Sequence, residues 1–145
     1  MEIQSIMDNS EDIPYGIQEI PPIDKPLKSV SKYWGKMDTL FEGEGYTVKR
    51  IYMNAGTQSS MEYHVRKSES YYVEKGILRV GLRLGRAENK SIVLREGDIF
   101  HIPVGLMHMR IAESDVVIIE RSTKDDDADS HLVEDGKTYI HVDKS

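Results

Sequence analysis

From Val30 to Arg121 the chain alternates apolar and polar residues in short runs, cut by glycines and polar turns. Strand side chains point to opposite faces in turn, so runs of this kind predict half-buried β-strands of a sandwich or barrel. Nine strands are predicted, over residues 36–41, 46–53, 60–64, 70–75, 78–84, 90–94, 98–102, 108–112 and 116–121. No stretch of useful length has the 3.6-residue spacing of an amphipathic helix. The ends of the chain differ. Residues 1–29 hold Pro14, Pro21, Pro22 and Pro26, which exclude a regular helix or a central strand, so this part reads as an extended arm. Ile13, Ile17, Ile20 and Ile23 give the arm apolar surface for docking. Residues 30–123 form the predicted barrel. Residues 124–145 open with the acidic run KDDDADS, a solvated spacer, and end in KTYIHVD, whose alternation suits one more strand or a pairing between subunits. There is no internal repeat.

Composition narrows the function classes. The 145 residues are enough for one domain with its own core, and 39% hydrophobic with 30% charged residues is the balance of a soluble globular protein. A formal charge of -6 gives no footprint for nucleic acid or an anionic membrane. No apolar run reaches the roughly 20 residues a membrane span needs, and the start, MEIQSIMDNSEDIP, lacks the basic and apolar parts of a secretory signal. A cytoplasmic protein is expected. With no cysteine in the chain, any metal must be held by imidazole, carboxylate or amide groups.

Such groups gather in SSMEYHVRKSESYYVEKG, residues 59–76. Glu62 and His64 are two apart and share a strand face, and a tight turn brings Glu69 back beside them. A second stretch, EGDIFHIPVGLMH, runs from a strand through a Pro/Gly turn to His108 at the opening of the next strand. Two imidazoles and two carboxylates make a cup suited to Mn, Fe, Zn, Co or Ni, with solvent or substrate completing the shell. His101 reads as a surface or interface residue, and His131 and His141 as surface residues of the tail. Tyr71 and Phe100 read as core.

The two stretches resemble the two cupin motifs. Gly56, Glu62, His64, Glu69 and Gly76 fall at the spacings of the first, and Gly97, Pro103, Gly105 and His108 at those of the second. Glu62 stands where the first motif has a histidine, and Ala112 where the second has an asparagine. The resemblance implies an all-β fold, a double-stranded β-helix or jelly-roll barrel open at one end. It also implies a divalent transition metal in the mouth and pairing of subunits through a strand. More narrowly, YWGKMDTLFEGEGYTVKRIYMNAG is similar to the Trp-Gly, Gly-Tyr and Val-Lys-Arg-Ile elements of type II mannose-6-phosphate isomerases, carried here by Trp34, Gly35, Gly45, Tyr46, Val48, Lys49, Arg50 and Ile51. Those enzymes continue with Gln-x-His-x2-Arg-x-Glu, where this chain has Glu62, His64, Lys67 and Glu69. Glu62 is then a near-isosteric ligand, and Lys67 keeps the arginine's charge without its bidentate fork.

The expectation is a metal-dependent cupin acting on a small oxygenated substrate, a sugar or sugar phosphate, as an isomerase. Glu62, His64, Glu69 and His108 are the metal ligands. Tyr71 and Glu120 are candidates for the catalytic base, and Arg50 and Lys67 candidates for holding an anionic group of the substrate. An Fe(II) dioxygenase and a non-catalytic sugar-binding or regulatory cupin are the alternatives. The partners expected are a small carbohydrate and a second copy of the chain, with no nucleic acid and no membrane.

Overall fold

The structure, a computed structural model, describes residues 16–26, 28–85, 88–124 and 126–134. These form eleven strands: β1 (Lys28–Lys32), β2 (Gly35–Glu42), β3 (Thr47–Met53), β4 (Met61–Tyr63), β5 (Glu69–Lys75), β6 (Leu78–Leu84), β7 (Glu88–Leu94), β8 (Ile99–Ile102), β9 (Met107–Ala112), β10 (Val116–Ser122) and β11 (His131–Glu134). A single 3-10 turn, Asp127–Asp129, is the one helical element among the described residues. No described helix is long and apolar enough to cross a membrane. The strands build two antiparallel sheets, ordered β1-β2-β3-β10-β5-β8 and β11-β4-β9-β6-β7. This is the all-β jelly roll that the resemblance implies, built from the strands that the pattern predicts.

All nine predicted strands are present, with ends moved by at most two residues. β1 and β11 were not predicted. In KSVSK one valine stands among polar residues and every position is exposed, so no alternation marks β1. Its backbone pairing to β2, from Lys28 opposite Thr39 to Lys32 opposite Gly35, makes it a strand, and it begins inside the segment read as the arm. β11 likewise owes its conformation to pairing with β4, His131 opposite Tyr63. The strand expected in KTYIHVD, His141, and the arm's Ile13 and Pro14 lie outside the described residues.

Alternation positions the site as well as the core. On β3 the buried residues are Thr47, Lys49, Ile51 and Met53, on β10 Val116, Ile118, Glu120 and Ser122, and on β5 Glu69, Tyr71 and Val73. Register lines these up in rungs across the sheet. Ile51, Ile118 and Val73 make an apolar rung; Lys49, Glu120 and Tyr71 make the next; Thr47, Ser122 and Glu69 make the third. One end of the interior is therefore apolar and the other polar. The apolar end is closed by Leu78, Val80 and Ala112 from the facing sheet, all buried. Full burial of a side chain such as Leu78 or Val80 contributes roughly 1.5–3 kcal/mol. The polar end is the mouth of the barrel.

Turn glycines hold the strands at these registers. Gly76 between β5 and β6 has φ 88°, and a Cβ there would strike the Asp115 carbonyl oxygen. Gly105, φ 89°, donates its N–H to the His64 carbonyl at 2.8 Å and so ties the Pro/Gly turn to the loop that carries His64.

Candidate metal centre

Glu62 on β4 and His108 on β9 are directly opposed cross-strand neighbours in the five-stranded sheet. His64 follows two residues after Glu62, just past the end of β4, and keeps the same inward face. Glu69 opens β5 in the other sheet, so the set closes across the mouth between the sheets. Glu69 Oε1 lies 2.7 Å from His108 Nε2 and 3.2 Å from His64 Nε2, and Glu62 Oε1 lies 3.6 Å from His64 Nε2. The two imidazole centres are 5.3 Å apart. His64, Glu69 and His108 are buried, and Glu62 is half-buried toward the cavity.

The outer nitrogens decide what the inner ones can do. His64 Nδ1 is 3.2 Å from the Asp129 carbonyl oxygen and His108 Nδ1 is 2.8 Å from that of Leu106. A carbonyl only accepts, so in each ring Nδ1 carries the proton and donates it. In the neutral imidazole this leaves the Nε2 lone pair facing inward. The two lone pairs and an oxygen of Glu62 then face one another, and Glu69 Oε1 lies beside both rings. His108 Nε2 is buried and makes no hydrogen bond despite its closeness to Glu69. Ligand atoms of Glu62, His64 and His108 all lie within 4.8 Å of one another. A divalent cation is what such a donor set fits, and carbonyl-anchored imidazoles are the usual way to orient metal ligands.

Proton affinities report the same crowding. Burial lowers the pKa of His64, but the hydrogen bond to Glu69 opposes this, and with the charges of Glu69 and Glu62 it outweighs both burial and Lys67, so the net shift is upward. Burial pushes Glu69 up, yet the hydrogen bond from Glu120 and the imidazoles of His108 and His64, which can donate from Nε2 only in their protonated form, take it well below the carboxylate range. Glu120, buried beside Glu69, is pushed well above that range by burial and by the Glu69 charge and hydrogen bond. One proton thus sits on Glu120 and is donated to Glu69. Tyr71, fully buried, is pushed up by burial and by the neighbouring carboxylates, so its phenol stays protonated.

A cavity of about 250 Å³ opens beside the cup, lined among others by Trp34, Lys49, Glu62, Lys67, Arg110 and Glu120. Lys67 and Glu120 thus line the cavity. Tyr71 stands behind the wall, its hydroxyl accepting from Arg110 Nη1 at 3.2 Å. Arg50 is not brought to the cavity. It lies on the outward face of β3, with its Nε 3.5 Å from Glu74 on β5, while Lys49, one residue earlier, faces in and is buried. Strand parity carried this: Ile51 and Met53 are core, so 49 is inside and 50 outside. The same parity places Arg110 inside with His108, a signal that the alternation of β9 carries.

Asp129 had no such signal. It belongs to the acidic run read as solvated spacer, yet it is buried, and its carboxylate accepts backbone N–H bonds from Val65, Arg66 and Lys67 at 3.0, 3.0 and 2.9 Å. Burial raises its pKa, but these three bonds and Arg66 bring the net value down. With its own carbonyl on His64 Nδ1, Asp129 fastens the loop between two proposed ligands. Asp126, by contrast, is exposed and pairs with Arg66 at 3.2 Å. His101 is exposed on β8, 3.1 Å from the Ser70 hydroxyl, and His131 stacks on Tyr63 with centroids 5.0 Å apart.

Comparison with known proteins adds descent to geometry. The chain is 29% identical over 104 residues to a putative mannose-1-phosphate guanylyltransferase of Vibrio cholerae, covering 64% of this chain and 21% of that protein. It is 35% identical over 81 residues to the mannose-1-phosphate guanylyltransferase ManC of Salmonella typhimurium, covering 56% of this chain and 16% of that one. The chain thus spans about a fifth or less of the length of these curated relatives. Among solved structures, the capsular polysaccharide assembling protein CapF from Staphylococcus aureus superposes with a TM-score of 0.68 over 77% of this chain and 32% of that chain, at 19% identity. That likeness speaks for the fold. The cupin family profile matches residues 15–138, a span that holds every strand of the two-sheet barrel and its mouth, and the chain belongs to the cupin family.

Proposed function

We propose that the protein is a metal-dependent cupin that acts on a small oxygenated substrate of the carbohydrate class, as a sugar or sugar-phosphate isomerase. The observation that carries this reading is the convergence of two inward lone pairs and two carboxylates at a cavity of small-molecule size. Glu62, His64, Glu69 and His108 would hold the ion, one of Mn, Fe, Zn, Co or Ni. Such an ion, when bound, supplies a Lewis acid that polarises a carbonyl or hydroxyl oxygen. The protein's own part is proton management. Glu120 lines the cavity and holds a proton it can give up or take back at its carboxyl oxygen, which suits a transfer between neighbouring carbons of a bound sugar. Tyr71, buried and protonated, orients Arg110 instead of acting as a base. The carbohydrate class draws support from the relatives named as mannose-1-phosphate guanylyltransferases. In this reading the protein works as a cytoplasmic homodimer.

Metal content of the purified protein tests the cup. His64→Ala and His108→Ala should each lose most bound metal while keeping a folded barrel, because the β core lies at the other end. Glu62→Gln should retain much of it and Glu62→Ala should not. Metal content unchanged in both histidine variants would show the cup to be misplaced. Interconversion of aldose and ketose phosphates by the metal-loaded protein is the expected activity. Oxygen consumption in the same assay would point to a dioxygenase instead, and saturable sugar binding with no turnover to a sensor.

A further inference from the structure

The cavity wall carries more positive charge than the cup can use. Lys32, Lys49, Lys67 and Arg110 line it, against the two carboxyls of Glu62 and Glu120. Even with both carboxyls ionised, the four cationic side chains outnumber them on this wall.

Arg110 is the informative member. It enters from β9, two residues after His108 and on the same face, and its guanidinium carbon lies 5.1 Å from the centre of the Trp34 ring and 5.8 Å from that of Tyr71. The two rings hold the guanidinium plane without neutralising it. Its Nη1 donates to the Tyr71 hydroxyl, a neutral acceptor, and its Nε is buried with no hydrogen-bond partner. Arg110 forms no ion pair among the described residues. A buried guanidinium with an unpartnered donor and no ion pair costs free energy unless an anion in the adjoining cavity offsets its charge. Trp34, itself buried, and Met37 complete that wall with apolar surface.

We propose that this wall is an oxyanion subsite: Arg110, with Lys67 and Lys49, binds a carboxylate or phosphate group of the substrate while its hydroxylated part reaches the cup. The substrate is then a sugar acid or sugar phosphate and not a neutral sugar. The sugar part of that statement rests on the function proposed above, whereas the anion part does not need the metal. A planar fork between two rings suits two-point contact with an oxyanion, and the buried lysines add charge without demanding a direction.

Trp34 is the only tryptophan of the chain and lines the cavity, so its fluorescence reports occupancy. Full-length protein treated with chelator is titrated with inorganic phosphate, glucuronate, glucose 6-phosphate and glucose. Saturable changes are expected with the anions, weakening as salt is raised, and with glucose only at concentrations at least tenfold higher. Tighter binding of glucuronate than of glucose 6-phosphate identifies a carboxylate as the group held, and the reverse order a phosphate. Arg110→Met should weaken anion binding about tenfold or more and leave the metal content of untreated protein unchanged. Because Arg110 packs between two rings, Lys67→Met is measured in parallel and should weaken the same ligands several-fold. The subsite is refuted if no anion gives a saturable change, if glucose binds as well as glucuronate and glucose 6-phosphate, or if both variants keep affinities within twofold of the parent. A missing metal cup would show separately, as parent protein that carries no metal yet still binds the anions.

Discussion

Glu69 and Glu120 are two buried carboxyls that share a proton, and the direction of each shift sets a pH dependence for the metal-free protein. Glu69, with its pKa lowered in the fold, adds stability that is present above its unfolded value and is lost as pH falls through the folded one. Glu120, with its pKa raised, works the other way: the fold keeps a proton that the unfolded chain has released, so stability declines as pH rises above the ordinary glutamate range. Glu120→Gln keeps a donor for Glu69 and cannot ionise. Thermal melts in chelator from about pH 5 to about pH 9 should show the parent losing stability with rising pH and the variant much less so. Parallel curves for the two would mean that Glu120 is not the group holding the proton. Parity along the strand made Glu62, His64 and Glu120 legible as inward residues. Their protonation was not legible, because it depends on which carboxyl each meets across the barrel.

At the scale of elements, the 3-10 turn Asp127–Asp129 and β11 fold the tail back onto the metal loop. Two anchors do this, the Asp129 carboxylate on three backbone N–H groups of residues 65–67 and its carbonyl on His64 Nδ1. Asp129→Ala removes the first anchor and frees the segment that supplies the second. Metal affinity should fall about tenfold, the usual scale for losing a partner that orients a metal-bound imidazole, and equilibrium dialysis of the ion would measure it. Asp129→Asn keeps shape but accepts fewer bonds. Because the Asp129 pKa is lowered in the fold, its contribution exists above the ordinary aspartate value and disappears as pH falls through the folded one. The asparagine variant should accordingly show a flatter loss of stability toward acid than the parent. An affinity equal to the parent's in the alanine variant would remove Asp129 from the support of His64. Nothing in KDDDADS distinguishes its last aspartate from its neighbours in sequence; a contact 62 to 64 residues away does.

For the whole molecule, β1 is an exposed strand at the end of the six-stranded sheet, paired among the described residues to β2 alone. The residues before it leave Ile17, Ile20 and Ile23 71%, 95% and 89% exposed. A free sheet edge next to unburied isoleucines is an arrangement that a two-fold pair of chains resolves. We expect a closed dimer in sedimentation, weakened when residues 1–27 are removed, with metal binding unaffected by the truncation. A full-length chain sedimenting as a monomer at about micromolar concentration would disprove this pairing and leave the cupin assignment standing. The nine barrel strands and their inward faces were legible along the chain because they follow from a period of two and from local turns, and the motif spacing pointed to Glu62, His64, Glu69 and His108 as one set. β1 and β11 came from the assembled sheets, since they exist through pairing and carry no pattern of their own. The tertiary structure also decided the burial of Asp129, the exclusion of Arg50 to Glu74 and the inward orphan of Arg110. Each of these depends on which distant side chain fills the space opposite, and that is set by the register and closure of two sheets, not by the order of residues along one strand.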